Sequence, residues 1–146
     1  VERYDIRLLL ENNVDAVPRS QNNVHPSHLL LTHPDEIVTF FDKMKHERLG
    51  LLLDVAHLRV SATHQAFDPV KGINKFQSYI EALHLSDNDG ISDTNQMLSE
   101  KSWFWEPISC CLDIDQVEAV LEVYQLNDND IVGQLDMCGQ YSQNSC

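Results

Sequence analysis

Apolar residues along this chain fall into two kinds of segment that take turns. Short, mostly apolar runs occur at Ile6–Leu10, Leu51–Leu53, Ala82–Leu85 and Ile131–Leu135. Runs of this length suit buried strands better than helices. Between them lie longer stretches with helical spacing. Thr32 is placed to cap a helix whose first turn holds Pro34, Asp35 and Glu36, and whose apolar face is Ile37, Phe40, Phe41 and Met44, with Gly50 ending it. Asp68-Pro69 opens a second helix through Ile73, Phe76, Tyr79 and Ile80. A third is predicted from Asp113 to Leu126, with Ile114, Val117, Val120, Leu121 and Tyr124 on one side. The stretches around Pro18 and Pro26, and from Ser86 to Pro107, read as loops. Residues 1–138 then form one βα domain, and residues 139–146, GQYSQNSC, a polar tail.

Strands that alternate with helices imply right-handed crossovers and a parallel α/β sheet. In such folds the C-terminal strand ends form the ligand-binding face. Glu11, Asp54, His57, His84 and Asp87 all fall at, or just past, those ends. Carboxylates and imidazoles on a common rim suit Mn²⁺, Zn²⁺, Co²⁺ or Fe²⁺ better than Ca²⁺. Each acid alone has an ordinary use as a helix cap or turn former; it is their recurrence at three successive strand ends that suggests a site.

The remaining composition narrows the classes. The chain has 146 residues, 42% of them hydrophobic, enough for one domain with a core. Twenty-three acids against ten Lys and Arg give a net charge of −13, which repels phosphate backbones and anionic membranes. No apolar run reaches the ~18–20 residues of a membrane helix. The start, VERYDIRLLL, lacks the pattern of a signal peptide. Cys110, Cys111, Cys138 and Cys146 have no metal-ribbon spacing and read as reduced thiols of a cytoplasmic protein. His25, His28, His33, His46 and His64 read as solvated, Trp103-Phe104-Trp105 as a plug at the end of a core, and Asp128-Asn129-Asp130 as a helix-to-strand turn without calcium-loop spacing. There is no phosphate-binding glycine loop and no nucleophile elbow.

The segments LLLEN at 8–12, LLLDVAHLRVSA at 51–62 and HLSDNDG at 84–90 resemble the xylose-isomerase-like barrel superfamily. That group joins sugar (phosphate) isomerases and epimerases with abasic-site nucleases of the endonuclease IV type. The order and spacing match strands five to eight of the barrel, its C-terminal half. The resemblance implies a divalent metal, Mn, Zn or Co, held by Glu11, Asp54 and His84, with His57 contacting substrate or a further metal. DTNQML at 93–98 resembles a family stretch in which Asp93 matches, while Asn95 stands in place of the nuclease branch's histidine and Ser99 in place of a glycine. The fourth metal position, usually a Glu, falls on Gln134 in IVGQLDM, with Asp136 two residues on.

The resemblance also implies a function: two opposed acids move a proton between adjacent carbons of a sugar or sugar phosphate. Glu11 would be the surviving acid–base group, and His57, Asp87 and Asp93 would contact substrate. A Gln at the fourth position cannot carry the proton. A catalytically dead binding or assembly module is therefore the alternative, and an abasic-site phosphodiesterase a third. A full eight-strand barrel takes ~250 residues, so a half leaves two sheet edges open. A homodimer that closes the barrel over Leu8, Leu10, Leu51, Leu53, Leu83 and Val132 is expected.

Overall fold

A computed structural model of the chain describes residues 5–16, 29–113 and 116–142. The elements run β1 (Leu8–Glu11), α1 (Pro34–Met44), β2 (Leu49–Asp54), α2 (Val55–Gln65), α3 (Pro69–Phe76), a 3-10 turn (Gln77–Tyr79), β3 (Ile80–Leu85), α4 (Trp105–Cys111), β4 (Glu118–Leu121) and α5 (Asp128–Ser142). The four strands make one sheet in the order β1-β2-β3-β4, and every neighbouring pair is parallel. The expected parallel α/β class holds.

The helix starts follow local chemistry. His33 caps α1 by accepting the Asp35 amide on Nδ1 at 3.2 Å, while the expected cap, Thr32, gives its own amide to Glu36. The helix stops at Lys45 in the left-handed region, so β2 begins before Gly50. Asp68 caps α3 as its Asp-Pro start predicts, accepting from Val70 and Lys71. Two helices escape the periodicity. In α2, Val55, Ala56, Leu58, Val60, Ser61 and Ala62 are all buried, so no single apolar stripe marks it. The seven-residue α4 is too short to show one.

The C-terminal third corrects the sequence-based assignment. The predicted helix 113–126 is replaced by β4, and the predicted strand 131–135 lies inside α5. Asn127 starts α5 with a reciprocal cap: its Oδ1 accepts from Asn129 and Asp130, and Asp130 Oδ2 accepts the Asn127 amide. Asp128-Asn129-Asp130 is thus a helix start. The expected tail from residue 139 is helical through Ser142, with Tyr141 stacked on Trp105 at 4.3 Å; residues 143–146 lie outside the described residues.

The sheet has one covered face and one open face. Leu51, Leu53, Leu83 and Leu85 are buried under the helices with Ile37, Ile73, Phe76, Phe104 and Ile108. Phe104 and Trp105 do plug that core. The expectation that Leu51, Leu53 and Leu83 face inward is therefore overturned, and Val132 is an exposed residue of α5. Alternation along the strands puts Leu9, Leu52, Ala82 and Val120 on the other face, where Val120 is 54% exposed. One irregularity sets this pattern. Ile80 lies opposite Leu51 but Ala82 opposite Leu52, so Glu81 is an extra residue. Its carboxyl group sits where a side chain on Gly50 would be and pairs with Arg7.

Several smaller expectations change. His46 Nδ1 accepts the Arg48 amide, and His64 Nε2 lies 2.9 Å from the Ile91 carbonyl, so these rings and the capping His33 are tied to backbone. His25 and His28 lie outside the described residues. Cys110 is disulfide-bonded, against the reduced thiol expected; Cys111 and Cys138 are free, and Cys146 lies outside the described residues. The cytoplasmic expectation rested on four reduced thiols and loses that support. No described helix is long and apolar enough to cross a membrane.

Candidate metal centre

Each strand delivers one donor at its C-terminal end to the open face. Glu11 ends β1, Asp54 ends β2, His84 is the penultimate residue of β3, and Glu122 follows β4, its amide donating to the Leu85 carbonyl. Register makes the convergence unavoidable. Asp54 is opposite His84, His84 is opposite Val120, and Glu122 lies two residues beyond Val120 on the same face. One ligand atom from each of the four lies within 4.8 Å of all the others. His84 Nδ1 is 2.9 Å from Glu122 Oε2, 3.4 Å from Glu11 Oε1 and 3.8 Å from Asp54 Oδ2.

These atoms fit a cation. Asp54 Oδ2, His84 Nδ1 and Glu122 Oε2 are all buried and lack hydrogen-bond partners, a costly state for polar atoms unless a further group satisfies them. Three carboxylates and an imidazole whose ligand atoms lie within 4.8 Å of one another suit Mn²⁺, Co²⁺, Fe²⁺ or Zn²⁺. The same crowding perturbs protonation. Burial pushes the Asp54 carboxyl from an ordinary 3.8 up to about 6; Glu11 and Glu122 push the same way, while His57 and its amide oppose. The other oxygen, Oδ1, is already used: it accepts the His57 amide at 2.8 Å and caps α2.

His57 stands beside this cluster. Its Nδ1 lies 2.8 Å from the Asn12 carbonyl and 3.4 Å from Glu11, and its Nε2 lies 3.2 Å from Asp93 Oδ2. Burial disfavours its charged form, but Asp54, the Asn12 carbonyl, Asp93 and Glu11 together outweigh this and raise its pKa. Acceptors on both nitrogens suit an imidazolium that donates both ways.

Sequence-predicted residues divide cleanly. Glu11, Asp54, His57, His84 and Asp93 are brought together. Asp87 is not: its oxygens are taken by Arg59 at 2.6 Å, the Asn88 amide and the Ser102 hydroxyl at 2.7 Å, so it anchors a loop beside the cluster. Gln134 is not at a strand end; it is buried in α5, and its carboxamide bonds both backbone groups of Leu98. Asp136 is exposed on the same helix.

Two residues of the site are absent from the sequence-based set. Glu122 closes AVLE at 119–122, which repeats the pattern of LLLE at 8–11, and that repetition was the available signal. Asn12 clasps the ends of β1 and β2 by donating to the Asp54 carbonyl and accepting the Asp54 amide, at 3.0 and 2.8 Å. Nothing in its sequence position marks it.

No protein-family model matches the chain, and no curated protein matches it. Among solved structures, the crystal structure of a D-tagatose 3-epimerase-like protein superposes with a TM-score of 0.69 at 21% sequence identity, over 97% of this chain and 49% of that one. The chain thus spans about half the length of the structure it matches, and its fold is half of a TIM-type barrel.

Proposed function

We propose that this chain carries the metal-binding half of a sugar isomerase or epimerase, acting on a ketose or its phosphate. The observation that supports this most is the four-donor cluster, with three buried ligand atoms that make no hydrogen bond. Glu122 also removes the objection raised by Gln134, because two carboxylates now flank the cluster from the first and last strands. In this reading Glu11 and Glu122, each about one-third exposed, hold and return the proton that moves between adjacent carbons. Asp54 and His84 complete the ligand set. His57, held by Asn12 on Nδ1, pairs through Nε2 with Asp93, and this pair at the rim would meet a substrate hydroxyl through the Asp93 carboxylate. A bound divalent ion would polarise the substrate oxygens as a Lewis acid.

Calorimetric titration of the chain with Mn²⁺, Co²⁺ and Zn²⁺ at neutral pH tests the site. Binding tighter than about millimolar is expected, followed by chelator-sensitive interconversion of ketose epimers that Glu11→Gln reduces by ~10²-fold or more. Absence of binding by all three ions sinks the reading.

The uncovered face supports a second reading, that the chain assembles with another copy. Leu9, Leu52 and Val120, and the free edges of β1 and β4, are what a partner sheet would cover. Two copies about a two-fold axis along the barrel place β1 of each beside β4 of the other in parallel, closing an eight-strand ladder. Light scattering at micromolar concentration is expected to give twice 16.7 kDa; a clean monomer mass rules the closed dimer out.

A further inference from the structure

Gln134 is not part of the cluster, yet it is 3% exposed and both ends of its carboxamide are hydrogen-bonded. Its Oε1 accepts the Leu98 amide at 2.6 Å, and its Nε2 donates to the Leu98 carbonyl at 3.1 Å. A side chain thereby plays the part of a neighbouring strand. Leu98 belongs to the long connection from β3 to α4, which also carries Asp93. The same connection is gripped at two further points from the C-terminal segment. The Tyr124 amide donates to the Asn95 carbonyl, and the Tyr141 hydroxyl to the Glu100 carbonyl. On its other side it pairs with itself through Asp87 and Gln96, and Asp87 is held by Arg59 and Ser102.

Resting on the reading of the cluster given above, we propose that Gln134 is a positioning residue that locks together the two rim segments bearing Asp93 and Glu122. Asp93 lies five residues before Leu98 and meets His57 Nε2 at 3.2 Å. Glu122 lies two residues before Tyr124, whose amide holds Asn95. A clamp between α5 and Leu98 therefore fixes, from outside, the separation of the fourth ligand from the group that orients His57. A purely apolar contact would leave that segment free to slide along the helix; two antiparallel hydrogen bonds set its register.

Gln134→Met tests this, because it keeps side-chain length and removes both bonds. Two readouts are made on the intact chain. Hydrogen exchange of the amides from Asp93 to Leu98 is expected to accelerate by ~10-fold or more, since the Leu98 amide loses its acceptor. Mn²⁺ affinity of the folded protein is expected to fall about tenfold, the size of effect seen for supporting groups around metal ligands. Glu122→Gln serves as the converse, losing Mn²⁺ while leaving exchange at Leu98 unchanged. If Gln134→Met lowers only the unfolding midpoint and the folded protein binds Mn²⁺ as before, Gln134 is merely structural and the proposal is overturned. Failure of the unsubstituted chain to bind Mn²⁺ defeats the functional reading instead; exchange at 93–98 then shows separately whether the clamp exists. Should Gln134→Met not fold, Gln134→Asn, whose shorter carboxamide cannot reach both backbone groups of Leu98, carries the same comparison.

Discussion

Replacing Glu122 by Gln is expected to weaken Mn²⁺ binding more than about a hundredfold and to remove isomerisation, with little change in stability. A first-layer ligand should cost more than the ~10–100-fold typical of groups that only support ligands, and a positioned acid–base group supplies ~10²–10⁴ of rate on its own. Stability is spared because the Glu122 side chain is 37% exposed and Gln keeps its size and shape. The matching change at the other candidate position, Gln134→Glu, should create no ligand, since that side chain faces Leu98. Calorimetry on the two variants side by side decides between the two assignments. Unchanged affinity in Glu122→Gln would remove Glu122 from the site.

The second large effect concerns Asp54. Its carboxyl titrates near 6 in the metal-free fold, against 3.8 ordinarily. The folded state therefore holds this proton more tightly than the unfolded chain does. Below pH ~4 both states are protonated and nothing is lost; between about 4 and 6 stability falls as pH rises; above 6 the whole penalty stands, on the order of 2–3 kcal/mol. Asp54→Asn keeps an oxygen to cap α2 and carries no charge. Without metal it is expected to be more stable than the unsubstituted chain by that amount at pH 8 and nearly equal at pH ~3.5. Urea unfolding in chelator at the two pH values measures it; a destabilised Asp54→Asn at pH 8 contradicts the account. The same proton must leave before a cation binds, so the affinity of the unsubstituted chain should drop about tenfold per pH unit below 6.

How far the sequence revealed this arrangement depends on the segment. Strands β1 to β3 were legible because each is an apolar run that ends at a polar donor, and their lengths forbid a helix. The C-terminal third was not. Val117, Val120, Leu121 and Tyr124 satisfy a helical period by chance, because a four-residue strand followed by a short loop offers too few positions to show alternation. Ile131-Val132 looked like a strand for its β-branched residues, but most of α5 is exposed and its interior residue is Gln134. The better guide was Asn127 with Asp130, a reciprocal cap that outranks propensity in so exposed a segment. Once that boundary moves, Glu122 falls at a strand end, and the site acquires the acid it had been missing.

The extra residue in β3 bears on which insertions and deletions the chain can survive. Glu81 is the residue left out of the pairing, so that His84, and not Leu83, is level with Asp54. Lose Glu81 and the bulge closes without a slip: Ala82, Leu83 and His84 still stand opposite Leu52, Leu53 and Asp54, so the imidazole stays among the carboxylates and the leucine beneath the helices. Such a frame-preserving deletion leaves hydrophobic content and strand length almost untouched. This short stretch thus holds one residue of slack in length, which a deletion scan across residues 78–86 would read as a tolerant point at Glu81.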